Sequence, residues 1–260
     1  MQSIIYLFLA LISGLIYPVQ NQAITDPIDI SGQWVRIGPA GPIALNFNSG
    51  GIVEGDFGND GSIEIVSGYS IKGGFIIFKD KEGAACPEPG NYEIHLNEFY
   101  LAFDLIEDNC AGRLKSTMGF WLRPDFEKRL SKLSEKIDKT ANAEDFLNRA
   151  RMYMAIGKSK EAQHDFNRYI KHDPSDARVF VNRAGTRFPG DLEGVVEDCN
   201  KALALEPDNK NAYFLRGLAS YELGFKEEAC IDFYRAIELG FDILKQAEYE
   251  KCAEFWESIK

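Results

Sequence analysis

Along the first half of the chain, apolar and polar residues alternate in short runs. Pro42-Ile-Ala-Leu-Asn-Phe-Asn48, Ser62-Ile-Glu-Ile-Val66, Gly74-Phe-Ile-Ile-Phe78 and Asn91-Tyr-Glu-Ile-His-Leu96 are four of them. Between them lie turn signals: Ser49-Gly-Gly, Asn59-Asp-Gly61, Gly73-Gly74 and Pro89-Gly90. A period of two with tight turns predicts consecutive antiparallel strands. About eight fit into residues 28–122, enough for a barrel or a sandwich. Alternation sets Tyr92, Ile94 and Leu96 on one face and Glu93, His95 and Asn97 on the other. Leu101, Phe103 and Leu105 repeat the pattern. The bulky Phe47, Phe57, Phe99 and Phe120 are expected to point inward and fill a small barrel rather than leave a pocket.

The period changes at Pro124. Phe126, Leu130, Leu133 and Ile137 recur at helical spacing and predict a linker helix within 124–142. An internal repeat follows. Phe146-Leu-Asn-Arg-Ala150, Phe180-Val-Asn-Arg-Ala184 and Tyr213-Phe-Leu-Arg-Gly217 start 34 and 33 residues apart. Gly157, Gly190 and Gly224 mark a turn in each unit. Ala162, Val195 and Ala229 follow each glycine, then Phe166, Cys199 and Phe233. Pro174, Pro207 and Gly240 end the units.

These landmarks resemble the tetratricopeptide repeat (TPR) family, whose unit is a helix-turn-helix. The resemblance implies an all-α solenoid over 143–260, with repeats at 143–176, 177–209 and 210–243. A capping helix is expected at 245–259, carrying Ala247, Tyr249, Cys252 and Phe255. Unit two is one residue short and contains Phe188-Pro-Gly190, so its first helix is expected to end early. The family also implies a concave groove lined by the first helices, which takes a peptide or partner helix. The residues matching those positions are Leu147, Asn148, Arg151, Arg178, Val181, Asn182, Leu215, Leu218 and Tyr221. Arg149, Arg183 and Arg216 recur as well, and bracing of neighbouring helices is the simpler account of them. Upstream, Ser31-Gly-Gln-Trp34 and the return strand Gly119-Phe-Trp121 resemble lipocalin-like, calycin-type barrels. That likeness implies an antiparallel β-barrel over 28–122, with a sandwich as the alternative. It also opens a second functional class, a small apolar ligand carried in the barrel.

Ile4 to Tyr17 is an uncharged apolar run. It is too short to span a bilayer with ease and suits a secretory signal peptide over 1–23, cleaved near Ala23. No integral membrane span is expected after cleavage. A secreted or periplasmic location follows, and in such a compartment Cys86 and Cys110 are expected to form a disulfide. Cys199 and Cys230, on second helices of adjacent units, read as small buried apolar residues, with a second bridge as the alternative.

Composition narrows the function. Apolar residues make up 45% of the chain and charged residues 27%, which is globular. The formal charge of −11 argues against a nucleic-acid partner. Three histidines, His95, His164 and His172, with no His/Cys cluster argue against a metal or other cofactor. Asp56, Asp60 and Glu64 look like a calcium loop, but a hairpin turn explains Asn59-Asp-Gly61 better. His95 reads as a surface residue, and Asp104, Glu107 and Asp108 as a solvated loop. No catalytic residue is assigned and an enzyme is not expected. The sequence therefore predicts an exported, non-catalytic adaptor with a protein partner in its repeat groove.

Overall fold

The computed structural model describes residues 28–38, 41–80, 86, 88–140, 142–241, 252–253 and 255–257. The expected signal peptide, and Ala247 and Tyr249 of the expected capping helix, lie outside the described residues. The chain forms two compact units, residues 1–165 and 166–260.

The first unit is built on eight strands. They are β1 (Gly32–Gly38), β2 (Gly41–Phe47), β3 (Ile52–Asp56), β4 (Ile65–Lys72), β5 (Phe75–Lys79), β6 (Gly90–Leu96), β7 (Leu101–Glu107) and β8 (Phe120–Trp121). Each pairs antiparallel with the next in chain order. The chain then returns to its first strand. Val35 N–H donates to the Leu122 carbonyl at 2.7 Å, and Leu122 N–H donates back at 2.8 Å. The sheet is thus a nearly closed up-and-down barrel, in which few strand edges stay unpaired.

Alternation fills its interior with rings. Phe47, Phe78, Tyr92 and Phe103 are buried with ring centroids 5.6 to 6.4 Å apart. Trp34 is buried as well. Its Nε1 donates to the Ile30 carbonyl at 2.8 Å, and the Arg123 guanidinium lies 3.8 Å from its ring centroid. Phe120 is buried as expected, whereas Phe57 is 41% exposed and Phe99 is half-buried. Alternation stops before Phe57. The Asp56 carboxylate accepts from the N–H groups of Asp60 and Gly61 at 3.1 and 2.8 Å. Phe57 therefore sits in the expected hairpin turn rather than in a strand.

Between β7 and β8 lies a short helix with no clear sequence signal, α1 (Ala111–Thr117). It positions Arg113, which overturns the solvated-loop expectation for Asp108. Arg113 donates from Nε to Asp108 Oδ2 at 2.6 Å and from Nη2 to Asp108 Oδ1 at 2.9 Å. Tyr92 donates to the same carboxylate at 2.5 Å, and Arg113 Nη1 reaches Asp80 at 3.2 Å. Burial, then Asp108, hold the Tyr92 phenol well above its ordinary range. Gly90 is required beside this network, because a Cβ there would overlap the Asp108 carboxylate. Cys86 and Cys110, at the start of α1, lie at disulfide distance with Cα atoms 5.6 Å apart.

The helical part begins with α2 (Phe126–Thr140), which buries Leu133 and Ile137, and α3 (Ala143–Ala155). Helices α4 (Ser159–His172), α5 (Ala177–Arg187), α6 (Leu192–Leu205), α7 (Lys210–Glu222) and α8 (Lys226–Glu238) complete three helix pairs. Gly157 and Gly224 turn the first and third pairs at φ of 71° and 92°, where a side chain would be strained. The second pair turns at Phe188-Pro189 instead, and α5 has 11 residues against 13 in α3 and α7. Ala162, Val195, Ala229, Phe166, Cys199 and Phe233 are all fully buried, so the repeat landmarks are core positions. Cys230 departs from expectation. It pairs with Cys252, Cα atoms 5.5 Å apart, and Trp256 Nε1 caps its carbonyl at 2.9 Å. Cys199 remains free and buried.

Candidate functional site

The three recurrent arginines perform one task three times. Arg149 forks onto Asp165 at 2.7 and 2.8 Å, and Arg216 onto Asp232 at 2.8 and 2.7 Å. Arg183 forks onto Asp198 at 2.9 and 2.5 Å. Each fork joins the first helix of a pair to the second. The third nitrogen, Nη1, reaches back to the preceding helix: to Ser134 at 3.1 Å, Asn167 at 2.5 Å and Asn200 at 2.6 Å. Planar bidentate geometry is what guanidinium supplies and ammonium does not. Bonding to the aspartates holds the Arg149 and Arg216 guanidinium groups above their ordinary range. These arginines are structural, as the simpler account had it.

The groove candidates fall into two sets. In the first unit, Leu147, Asn148 and Arg151 of α3 are buried. Asn97 Nδ2, from the β6–β7 turn, donates to Asn148 Oδ1 at 3.3 Å. Arg151, only 1% exposed, donates from Nη1 to Tyr100 Oη at 2.7 Å and lies 5.5 and 5.8 Å from the ring centroids of Tyr100 and Phe120. Both residues are therefore engaged by the barrel. Sequence spacing could not show this, because the partners lie about fifty residues upstream in another fold element.

In the second unit, the candidates sit on α5 and on α7, which packs beside it. Arg178 forks onto Asp176, both bonds 2.7 Å, and that carboxylate raises its guanidinium pKa. Val181, Leu215 and Leu218 are buried and Tyr221 is half-exposed. Asn182 is the unusual one. It is 1% exposed, yet neither Nδ2 nor Oδ1 has a hydrogen-bond partner. Leaving such a group unmatched costs about 1–3 kcal/mol, so its retention requires a reason.

Strand register assembles a third group that sequence reading left scattered. His95 is buried at 7% exposure, not on the surface, with Nε2 3.0 Å from Asp104 Oδ2 and 4.0 Å from Glu93 Oε2. Burial, outweighing the neighbouring His95, raises the Asp104 pKa above the ordinary carboxylate range.

No family model matches the chain. It is similar to tetratricopeptide repeat protein 36 of Danio rerio, 39% identical over 89 residues, covering 32% of this chain and 47% of that protein. It is also similar to the mitochondrial import receptor subunit TOM70 of Homo sapiens, 28% identical over 136 residues, covering 50% of this chain and 22% of that one. Among solved structures, the first TPR of Spaghetti (RPAP3) bound to HSP90 peptide SRMEEVD is 27% identical with a TM-score of 0.42. That match covers 46% of this chain and 96% of the other. The chain spans less than half the length of either relative. The repeat landmarks and these relatives agree: the helical part is similar to tetratricopeptide repeat proteins.

Proposed function

We propose that this is an exported, non-catalytic interaction protein. Its repeats, 143–176, 177–209 and 210–243, hold a peptide or helix of another protein, and the barrel is its folded N-terminal module. The relatives carrying such repeats support a protein-binding role. The observation that carries the site is the unmatched Asn182 carboxamide on α5. Asn182 is buried, so a partner backbone offering one C=O and one N–H would satisfy both of its atoms once the side chains over it move aside. Arg178, partly exposed on the same helix, already forks onto Asp176. Tyr221, half-exposed, supplies apolar area alongside, while the buried Leu215 and Leu218 belong to the core. Asn148 and Arg151, engaged by the barrel, serve its packing instead.

Export is supported by two cysteine pairs at disulfide distance, which suit an oxidising compartment. No helix among the described residues is long and apolar enough to cross a membrane. The alternative, a small apolar ligand in a lipocalin-like barrel, draws no support from an interior filled by four rings.

The test is in-cell photocrosslinking from Tyr221, with Glu197 on the exposed face of α6 as control. One dominant adduct from Tyr221, lost in Asn182→Ala, is the expected result. Equal adducts at both sites, or an adduct indifferent to Asn182→Ala, would overturn the assignment.

A further inference from the structure

We infer that Glu93, His95 and Asp104 form a divalent-cation site on the outer face of the barrel, with the donor chemistry of zinc. Strand pairing builds the site. Glu93 lies directly opposite Asp104, and His95 lies opposite Ala102 one row along. Tyr92, Ile94 and Phe103 fill the interior, so alternation turns Glu93, His95 and Asp104 outward. One donor atom from each of the three lies within 4.8 Å of the others. Zinc bound to nitrogen and oxygen near 2.1 Å holds tetrahedral ligands about 3.4 Å apart. The separations of 3.0 and 4.0 Å from His95 Nε2 bracket that value.

The hydrogen-bond state of the same atoms points independently to a ligand. His95 is more than nine-tenths buried, and its Nε2 makes no hydrogen bond although two carboxylates face it. Asp104 Oδ1 is buried and unmatched as well. Nε2 comes within 3.0 Å of Asp104 Oδ2 yet is left without a hydrogen-bond partner. A cation between the imidazole nitrogen and the two carboxylates uses both unmatched atoms.

One imidazole nitrogen with two carboxylate oxygens suits zinc or a neighbouring first-row ion better than calcium or magnesium, which favour oxygen alone. The Glu93 side chain is 28% exposed, which gives the ion an entry path and leaves a fourth position for water. Arg151 lies close enough to Asp104 to feel its charge. Two carboxylates outweigh that one guanidinium, which is bonded to Tyr100.

The experiment uses the full chain stripped with chelator. Zinc is titrated calorimetrically, and cobalt(II) is added in parallel to read its visible absorption. Wild type is expected to take one zinc and to give a cobalt spectrum of imidazole and carboxylate ligation. His95→Gln and Glu93→Gln are each expected to weaken binding by more than the roughly 10–100-fold that loss of an outer-shell partner brings, and to abolish the spectrum. Glu93 is partly exposed, so its variant keeps the fold, checked by circular dichroism. No zinc uptake by wild type, or uptake retained in both variants through the exposed His164 and His172, would overturn the inference.

Discussion

Asp198 is a buried carboxylate that two arginines share. Its carboxylate has no exposure and accepts from Arg183 at 2.9 and 2.5 Å, with Arg187 Nη1 3.2 Å away. Asp198→Ala leaves the buried Arg183 charge without its counter-ion. Breaking a buried pair from one side costs about 3–5 kcal/mol, and the second arginine here places the loss at the upper end. Arg183→Met/Asp198→Leu removes both charges and keeps apolar volume, so the double variant is expected to lose roughly 2 kcal/mol or less. The remaining cost comes from Arg187 and from the Asn167 bond. In a chain of this size, about 1 kcal/mol shifts Tm by roughly 2–4 °C. Asp198→Ala is therefore expected to lower the melting of the 222 nm dichroism by roughly 10 °C, and the double variant by clearly less. The helices dominate that signal, so it reports the repeats rather than the barrel. A double variant that loses the sum of its two singles would refute the coupling. So would an Asp198→Ala melt within a degree or two of wild type.

Gly217 lies where a Cβ would stand 2.7 Å from Phe233 Cε1. Gly217→Ala is expected to destabilise by about 1–3 kcal/mol of overpacking, against roughly 1 kcal/mol gained from helix propensity; thermal melting gives the sign. Burial, reinforced by Asp198, pushes the Cys199 thiol far above its ordinary range. It is expected to stay unreactive to a thiol reagent at pH 8 in the folded chain and to react once in denaturant. Reducing Cys230–Cys252, 22 residues apart, is expected to remove about 3 kcal/mol in the chain-entropy model. A Cys252→Ser melt unchanged from wild type would contradict that.

The meander and the helix pairs were legible because each depends on local period. Residues two apart decide a strand face, and residues three and four apart decide a helix face. The repeat glycines and small residues carried the register between units as well. Four things were hidden. Helix α1 has no strong periodic signal, and its role is to deliver Arg113 to a carboxylate that looked solvated. His95 and Asp104 are nine residues apart in sequence and meet only through strand pairing, so no linear spacing marks them. Asn148 and Arg151 carried the right residue types for a groove, but barrel residues about fifty positions away occupy them. Cys230 paired across a span that periodicity does not describe.

The arginine braces give the repeats a direction. Each guanidinium reaches forward to an aspartate in its own pair and backward to a side chain of the helix before it, and among the described residues none of these bonds runs to the pair after it. During synthesis, the backward acceptor has already emerged when each arginine arrives, and the forward one follows about sixteen residues later. Every pair can thus complete its polar contacts before the next is made. Shortening the array from its C-terminal end leaves the earlier guanidinium groups satisfied, while shortening it from the other end strands one hydrogen-bond donor at the new boundary. Such an array can grow by addition behind itself, one unit at a time, without reopening what has already closed.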